Sequence, residues 1–329
     1  MSFYFIGLDK YISLGQMIAD HIGQEMIRIH EPDSINMDFE EDDIIYGHFF
    51  LPKELFKKGC NIIAPDLNVA LRWDNKIYQS ERLKGIVPMP KWRAYNSAFE
   101  MLKEINLFDK RFVTLPYGNT GYQSIIHEKG TSVGVIYKKL KDINSPVRVS
   151  EYFDKDFAVS LHILIGSNDI YVSPIVEQIL KDEVEFLGAK YPANIDDCED
   201  KIIEISKKVG EIMRRDGFFG LAGIDLMVKE DQVMFVEVNP RKMGSTVGTS
   251  YVMKEFSNIT LPAIEYEIMK NGELPFIEPL RDHSLSWSIV QTDESPNSDG
   301  GMEGQLFKIG GQLVFKDLDD KIYRFEVDR

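Results

Sequence analysis

Three oxygen-bearing side chains occur in two apolar runs in the C-terminal half of the chain. Asp225 lies in LAGIDLMV, and Glu237 and Asn239 lie in VMFVEVN. Side chains two residues apart in a strand point to the same face, so Glu237 and Asn239 are expected to share one face. Phe235 and Val233 are expected on that face as well. Burying a carboxylate there costs free energy unless a positive charge offsets it.

The two runs are joined by the polar residues 230–232, which predicts an antiparallel hairpin. A three-residue loop sets Asp225 directly opposite Glu237. A two-residue loop puts them on opposite faces unless a bulge restores the register. In the first register Asp225, Glu237 and Asn239 form one oxygen cluster, which suits Mg²⁺ with waters and phosphate oxygens completing the octahedron.

A structural ion-pair network is the alternative interpretation of the same carboxylates. In that case one of three nearby cations neutralises them: Arg241, Lys242 or Arg214.

A second candidate site is the stretch VTLPYGNTGYQSII. It places four residues between two predicted strands, namely Gly118, Asn119, Thr120 and Gly121. Successive backbone N–H groups of such a turn can surround an anion, and the Thr120 hydroxyl adds a donor. The same residue types also form an ordinary hairpin turn, and the stretch lacks the GK[ST] ending of a Walker A loop. Both interpretations stay open here.

Composition limits the class of protein and its partners. The chain has 329 residues, of which 43% are hydrophobic, so two or three packed domains are expected. Its net charge of -15 argues against nucleic acid and anionic membrane surfaces as main partners. Only Cys60 and Cys198 occur, far apart, which favours free thiols over disulfides or structural zinc. Without a signal-like start or a long apolar run, a cytoplasmic protein is expected.

Predicted elements at the N-terminus alternate in type. FYFIGL, EMIRIH, DIIYGHFF and NIIAPD read as strands, and LGQMIADHIG and LPKELFKKG read as helices. This order predicts a small parallel α/β domain. A helix in NKIYQSERLKG and the two prolines of IVPMP mark its end.

The following segments predict a small antiparallel lobe and then a larger domain. A helix near residues 96–105 precedes three β-rich runs: RFVTLPYGNTGYQSIIH, TSVGVIYKKL and VRVSEYF. FAVSLHILIG and DIYVSPIVEQIL predict long strands, and DDCEDKIIEISKKVGEIMRRDG predicts a helix that ends at Gly217. The tail predicts short strands in HSLSWSIVQ, GQLFKIGG and GQLVFKDL, with the loop TDESPNSDGG among them.

The order of these features resembles the ATP-grasp superfamily over most of the chain. NKIYQSERLKGIVPMP resembles its first domain boundary, TLPYGNTGY its phosphate loop, VRVSEYF its adenine-binding hinge, and AGIDLMVKEDQVMFVEVNPR its metal-binding hairpin. The resemblance implies an α/β protein with the ATP-grasp fold. It implies a parallel α/β domain at 1–88, an antiparallel lid subdomain at 89–153, and a mixed-sheet domain at 154–329 that carries the hairpin and the β-rich tail.

The resemblance also implies a role for each matching residue. Asp225, Glu237 and Asn239 would hold Mg²⁺, or Mn²⁺, of an ATP complex. Arg241 and Ser245, together with Gly244, would hold the substrate or the transferring phosphate. The implied nucleotide-binding residues are Lys76, Gly118, Asn119, Thr120, Gly121, Lys138, Glu151, Tyr152, Phe153 and Asp156.

The chain departs from the family pattern at two positions. The family usually has a lysine before the proline of the phosphate-loop strand, whereas this chain has Leu115. Lys138 is the nearest replacement by topology, and Lys139 and Arg111 are weaker candidates; each could equally be a solvated cation. Gly223 stands where some relatives carry an arginine before the metal-binding aspartate.

The implied activity is that of a carboxylate–amine ligase. A carboxylate attacks ATP to form an acylphosphate, and an amino acid or peptide-like amine then displaces phosphate. The partners are small-molecule acid and amine substrates, while a thiol or carrier-protein acceptor, or a regulatory protein that binds ATP without turnover, are alternatives. The sequence leaves the oligomeric state open, a homodimer included. His127 and His162 lie in apolar strands and are interpreted as core or rim residues.

Overall fold

The computed structural model describes residues 1–7, 11–29, 36–48, 50–103, 109–117, 124–130, 132, 134–140, 145–195 and 198–278, and the backbone of four tail strands. The strands are β1 (Phe3–Ile6), β2 (Met26–Ile29), β3 (Ile44–Gly47), β4 (Asn61–Ile63), β5 (Trp92–Tyr95), β6 (Lys110–Thr114), β7 (Ile125–Glu128), β8 (Val147–Glu151), β9 (Phe157–Ile165), β10 (Ile170–Val172), β11 (Val176–Lys181), β12 (Glu185–Tyr191), β13 (Gly220–Lys229), β14 (Gln232–Asn239), β15 (Leu285–Val290), β16 (Gln305–Ile309), β17 (Gln312–Lys316) and β18 (Ile322–Val327). The helices are α1 (Ile12–Ile22), α2 (Leu67–Trp73), α3 (Lys76–Leu83), α4 (Ala98–Lys103), α5 (Gly134–Leu140), α6 (Glu199–Arg215), α7 (Thr246–Ser257) and α8 (Leu261–Asn271).

The N-terminal sheet is parallel, in the order β2-β1-β3-β4. Helix α1 presents Leu14 and Ile18, four residues apart, to the strand residues Phe3 and Phe5. This agrees with the predicted small α/β domain. The predicted helix in LPKELFKKG is wrong, because only a 3₁₀ turn, Leu55–Lys57, forms there. The Leu55 N–H at its start donates to the Pro52 carbonyl.

The central lobe is an antiparallel sheet in the order β5-β8-β6-β7. Val113, Val147 and Val149 of this sheet pack against the helices α4 and α5 on one face. The β-rich prediction for TSVGVIYKKL is wrong, because GVIYKKL is helix α5. Ile136 and Leu140, four residues apart, lie on one side of that helix and join the lobe core.

The C-terminal sheet has ten strands, in the order β14-β13-β9-β11-β12-β15-β18-β17-β16, with β10 also paired to β9. Helix α6 covers one face through Ile202, Ile205 and Val209, and α7 and α8 cover the other. Gly217 follows α6 at φ 88°, as predicted. DIYVSPIVEQIL forms two strands, β10 and β11, because residues 173–175 with their proline interrupt it.

Three of the tail strands lie where the sequence predicted them, and β18 is an additional one. Strand β15 pairs with β12, so the tail extends the C-terminal sheet. Val247 of α7 and Tyr266 of α8 belong to the core of the N-terminal domain, so these helices connect the two sheets. None of the described helices is both long and apolar enough to cross a membrane.

Candidate active site

A β-bulge sets the register of the hairpin that carries the two carboxylates. Lys229 pairs with Gln232, so the loop has two residues, and of the two alternatives left open by the sequence the structure has the bulge. The register then shifts beside Leu226, where Val236 is the extra residue of β14, and Asp225 lies directly opposite Glu237. The bulge therefore produces the pairing that a two-residue loop alone would have prevented.

The bulge also reverses the faces of β14. Val233 and Phe235 lie in the hydrophobic core with α6, and beyond the bulge it is Val238 that joins them. Glu237 and Asn239 consequently point to the opposite face, away from that core. The expectation that they share a face with Phe235 and Val233 is wrong, because strand alternation fails across an inserted residue.

The Asp225 carboxylate accepts hydrogen bonds from three neutral side chains. Ser160 donates to Oδ1 at 2.5 Å, Gln178 donates to the same oxygen at 2.8 Å, and Asn239 donates to Oδ2 at 3.0 Å. Burial raises the pKa of Asp225 to about 7, and the charge of Glu237 adds to the rise. These donors orient the carboxylate without neutralising it, which leaves a place for a cation.

Glu237 has a cationic partner. Burial raises its pKa, but Lys76, by its charge and its hydrogen bond to Oε2, and Arg241 outweigh this, so the pKa lies below its ordinary value. The two carboxylates therefore differ in protonation: Glu237 is ionised at neutral pH, while Asp225 titrates near it.

Helix α3 places Lys76 beside Glu237. The Asn75 side chain caps the helix by accepting from the N–H groups of Ile77 and Tyr78, at 2.9 and 3.1 Å. One turn on, buried Gln79 donates to the Val238 carbonyl at 2.7 Å and accepts from the Val238 N–H at 2.8 Å. This paired contact fixes the helix to the edge of β14. Sequence reasoning missed Gln79, whose only signal is an amide in a helix next to a predicted site.

The predicted ion-pair partners lie mostly elsewhere. Lys242 pairs with the fully buried Glu265 at 2.9 Å, and Arg214 pairs with Glu211 at 2.8 Å. Of the three candidate cations only Arg241 is close to the carboxylates, where it donates to Asn239 Oδ1 at 3.1 Å. A structural ion-pair network thus accounts for Glu237 through Lys76 but leaves Asp225 without a cation of its own.

The donor set fits a divalent hard cation that also binds a phosphate. Two carboxylates and one amide oxygen on adjacent strands supply few protein ligands, which is typical of Mg²⁺ held together with substrate oxygens. Among the described residues no group of three or more His, Cys, Asp or Glu forms a metal site, so an all-protein zinc or iron centre is not supported there.

The segment after β14 is held by a buried histidine. The Thr246 hydroxyl accepts from the Met243 N–H at 2.7 Å and contacts His162 Nε2 at 2.8 Å. Burial lowers the pKa of His162 to about 3, so the ring is neutral and shares one hydrogen bond with the Thr246 hydroxyl. Ser245 is buried at the start of α7. His162 is thus a core residue that positions the loop of Arg241 and Ser245.

The side chain of Met243 occupies the space beside Gly223. A Cβ on Gly223 would lie 2.1 Å from Met243 Sδ, so no longer side chain fits without moving Met243. Gly223 has no positive φ, and its small size alone is what the packing requires.

The hinge residues lie at the junction of the lobe and the C-terminal sheet. The Glu151 N–H donates to the Lys91 carbonyl at 2.8 Å and the Tyr152 N–H to the Lys110 carbonyl at 3.0 Å. A ligand at this hinge would therefore use carbonyl groups or the N–H of Phe153. Asp156 is exposed, and its carboxylate accepts from the Glu230 N–H at 2.8 Å, at the turn of the hairpin.

The phosphate-loop residues Gly118, Asn119, Thr120 and Gly121 lie outside the described residues. Leu115 packs into the lobe core, so its position supplies no polar group. Lys138 is exposed on α5, which covers the same core face. Arg111 is buried and donates to the His127 carbonyl at 3.3 Å. It lies two residues before Val113 in β6, so it also points to the core face. The side chain of Lys139 lies outside the described residues.

Arg148 and Thr114 are directly opposite each other on β8 and β6 and were not singled out from the sequence. Both alternate with core valines and so point to the lobe face away from α4 and α5. Arg148 is 6% exposed and Thr114 4%, and Arg148 Nε and Thr114 Oγ1 have no hydrogen-bond partner among the described residues. Burial lowers the pKa of Arg148 to about 10, and the charge of Glu237 opposes the decrease.

The amino-acid sequence matches the family described as ATP-grasp domain over residues 73–245, more than half of the chain. Among curated proteins, no sequence relative matches it.

Solved structures share the fold at low identity. N5-carboxyaminoimidazole synthetase from Staphylococcus aureus, complexed with ADP, aligns with a TM-score of 0.71 at 14% identity, covering 100% of this chain and 93% of that chain. The biotin carboxylase domain of Hydrogenobacter thermophilus 2-oxoglutarate carboxylase, in complex with MgADP and bicarbonate, aligns with a TM-score of 0.74 at 10% identity, covering 99% and 86%. Phosphoribosylamine–glycine ligase from Thermotoga maritima aligns with a TM-score of 0.67 at 16% identity, covering 98% and 89%.

Proposed function

The chain belongs to the ATP-grasp family, and from that premise we propose that it is an ATP-dependent carboxylate–amine ligase. It would activate a small-molecule carboxylate as an acylphosphate, join it to an amino acid or peptide-like amine, and release ADP and phosphate. The named activity of one structural neighbour, phosphoribosylamine–glycine ligase, is a joining of this kind. We include in the proposal the domain division 1–88, 89–153 and 154–329 and a cytoplasmic location.

One observation carries the proposal: Asp225 and Glu237 are directly opposed across the bulged hairpin, and among the residues that the structure describes only Glu237 has a cation of its own. A buried, unneutralised carboxylate whose pKa is raised to about 7 destabilises the protein, which favours a ligand-binding role. Mg²⁺ held by Asp225, Glu237 and Asn239 would neutralise charge on the ATP phosphates.

The chain's own residues supply positioning and charge for the reaction. A substrate carboxylate oxygen attacks the γ-phosphorus of ATP, the bond to ADP breaks, and ADP leaves with the electron pair. The amine nitrogen then attacks the acyl carbon, phosphate leaves, and the amine proton passes to phosphate or solvent. Arg241, oriented by Asn239 and 4.0 Å from Asp74, and Lys76 are the cations that stabilise the transferring group.

The lobe at 89–153 would act as a lid. Closing it over the nucleotide keeps water away from the acylphosphate, which hydrolyses readily. The hinge at Glu151, Tyr152 and Phe153 would contact adenine, and Asp156 the ribose.

Nucleotide binding without turnover is the second candidate function. Leu115 favours it, because this side chain packs into the lobe core where the family has a phosphate-binding lysine. A thiol or a carrier-protein acceptor would instead retain turnover and change only the nucleophile.

The test combines nucleotide binding with product release. Calorimetric titration with a non-hydrolysable ATP analogue is expected to show Mg²⁺-dependent binding by the wild type and at least roughly tenfold weaker binding by Glu237→Gln. ADP release is then measured over a panel of acids with amines or thiols.

Glu177→Gln is the matched control, because Glu177 also pairs with a lysine in the same sheet and is 19% exposed, against 20% for Glu237. It is expected to bind nucleotide like the wild type. No binding by the wild type would exclude both candidate functions, and binding without acid-dependent ADP release across the panel would favour the regulatory one.

A further inference from the structure

Within the described part of the chain, Arg148 is a buried cation without an anionic partner. Its side chain forms no ion pair or hydrogen bond among the described residues, and the guanidinium carbon lies 5.8 Å from the centre of the Trp92 ring. Such a charge costs free energy when it is withdrawn from water and left unpaired. The two other cations of the site differ, since Lys76 pairs with Glu237 and Arg241 lies 4.0 Å from Asp74.

Backbone contacts place Arg148 beside the carboxylates. It pairs in register with Thr114, the last residue of β6, and two residues further on the Pro116 carbonyl accepts from the Lys76 N–H at 2.8 Å. The Lys76 ammonium in turn contacts Glu237. The charge of Glu237 acts on Arg148, which agrees with this placement. Arg148 therefore lies on the lobe face nearest the hairpin.

Two further features of the lobe indicate an anionic ligand. Thr114, directly across from Arg148, also has a buried hydroxyl without a hydrogen-bond partner in the part of the chain that the structure describes. The phosphate-binding lysine that the family resemblance implies is absent, since position 115 is a leucine. The Leu115 side chain packs into the core on the other face of the lobe. A guanidinium and a hydroxyl on adjacent strands form a donor pair that suits phosphate oxygens.

We propose that Arg148, assisted by Thr114, binds a phosphate of the nucleotide in place of the lysine that is missing at Leu115. The cation thus comes from β8, the neighbouring strand, rather than from the end of β6. The inference rests on the proposed function, because it requires a nucleotide between the lobe and the hairpin.

Calorimetric titration of wild type, Arg148→Met and Arg148→Lys with MgADP and with adenosine tests the inference. Arg148→Met is expected to weaken MgADP binding roughly tenfold to hundredfold, since a charge-assisted contact is lost, and to change adenosine binding less than about twofold. Arg148→Lys is expected to fall between wild type and Arg148→Met. Arg93→Met is the control, because it removes the same charge from an exposed position on β5.

The outcomes separate this inference from the proposed function. MgADP binding by Arg148→Met within about twofold of wild type would overturn the role of Arg148 alone. Equal weakening of adenosine and MgADP would make Arg148 a structural residue of the lobe. A wild type that binds no nucleotide would overturn both proposals. If Arg148→Met does not fold, as judged by thermal unfolding, Arg148→Lys decides by the same comparison of ligands.

Discussion

Asp225 and Glu237 are neighbours of the same charge with opposite pKa shifts. Glu237 has the ammonium of Lys76, whereas Asp225 has only neutral donors and lies next to the negative charge of Glu237. Burial and this repulsion raise the pKa of Asp225 to about 7, while Lys76 and Arg241 hold that of Glu237 below its usual range. Without a bound cation, the site therefore stores unfavourable electrostatic free energy at neutral and alkaline pH.

Asp225→Asn is expected to stabilise the ligand-free protein more at pH 8 than at pH 5. Between the ordinary value of 3.8 and about 7 the folded protein keeps the Asp225 proton while the unfolded chain loses it, so its contribution to the free energy of unfolding falls as pH rises. The gain of the variant over wild type should be roughly 1 to 3 kcal/mol larger at pH 8. Urea unfolding at the two pH values measures it.

Asn is the right substitution because it keeps the shape of the side chain and cannot ionise. An equal effect of Asp225→Asn at both pH values would mean that the carboxyl titrates normally in the folded protein. The variant should also bind the ATP analogue more weakly in the presence of Mg²⁺, since a proposed metal ligand is lost.

Gly223→Ala is expected to lower the free energy of unfolding by roughly 1 to 3 kcal/mol through overpacking. Its Cβ would lie 2.1 Å from Met243 Sδ, and that sulfur lies 3.8 Å from the amide nitrogen of Asn239, so the clash reaches a proposed metal ligand. Thermal unfolding and nucleotide titration measure the two effects. The double variant with Met243→Ala removes the clash and should recover part of the stability; no recovery would contradict the packing explanation.

At the scale of elements, two features align the site. The bulge in β14 directs Glu237 toward Asp225, and Lys76, the first residue of α3, contacts Glu237. Gln79 links them, because its amide pairs with both backbone groups of Val238, the residue after Glu237. The helix thus replaces a missing neighbouring strand at the edge of the ten-stranded sheet.

Gln79→Leu is expected to lower the free energy of unfolding by roughly 2 to 4 kcal/mol, because the N–H and carbonyl of Val238 lose their partners. Nucleotide affinity should fall as well, since Lys76 is displaced. Chemical unfolding and calorimetry measure the two effects. Ser80→Ala is the control in the same helix, where only a hydroxyl contact to the Lys76 carbonyl is lost. A similar cost for both variants would argue against a special role for Gln79.

At the scale of the whole molecule, the candidate site lies where three units meet. Lys76 comes from the N-terminal unit, Arg148 from the central lobe, and Asp225 and Glu237 from the C-terminal sheet. Helices α7 and α8 fix the first unit to the third through Val247 and Tyr266. The central lobe has a core of its own, so it is the unit that can move as a lid.

Binding of MgADP is expected to slow hydrogen exchange in β6 and β8 more than in the N-terminal sheet. A nucleotide between the lobe and the hairpin holds the lobe closed, whereas the N-terminal sheet is already fixed by α7 and α8. Exchange measured by mass spectrometry with and without MgADP tests this, with Glu237→Gln as the variant that should lose the effect. Equal protection of both sheets would contradict lid closure.

The sequence predicted the family, the fold class and the hairpin with its three oxygen ligands, and the comparisons confirm the first two. Alternating apolar residues and turn residues are local signals, so strands such as β9, β13 and β14 could be assigned directly. The helix in GVIYKKL was missed because a short apolar run fits either period, and only its contacts with the lobe core decide.

By itself, the sequence determined which residue types are available: two carboxylates and an amide in a hairpin, a lysine at the start of a helix, and a leucine instead of a lysine at position 115. Only the tertiary structure decided which of them meet. The bulge in β14 lets both Phe235 and Val238 pack into the core with α6. The pairing of Gln79 with Val238 and the burial of Arg148 likewise depend on contacts between residues far apart in the chain. Such contacts leave no local pattern, because a side chain's partners are fixed by how the elements pack.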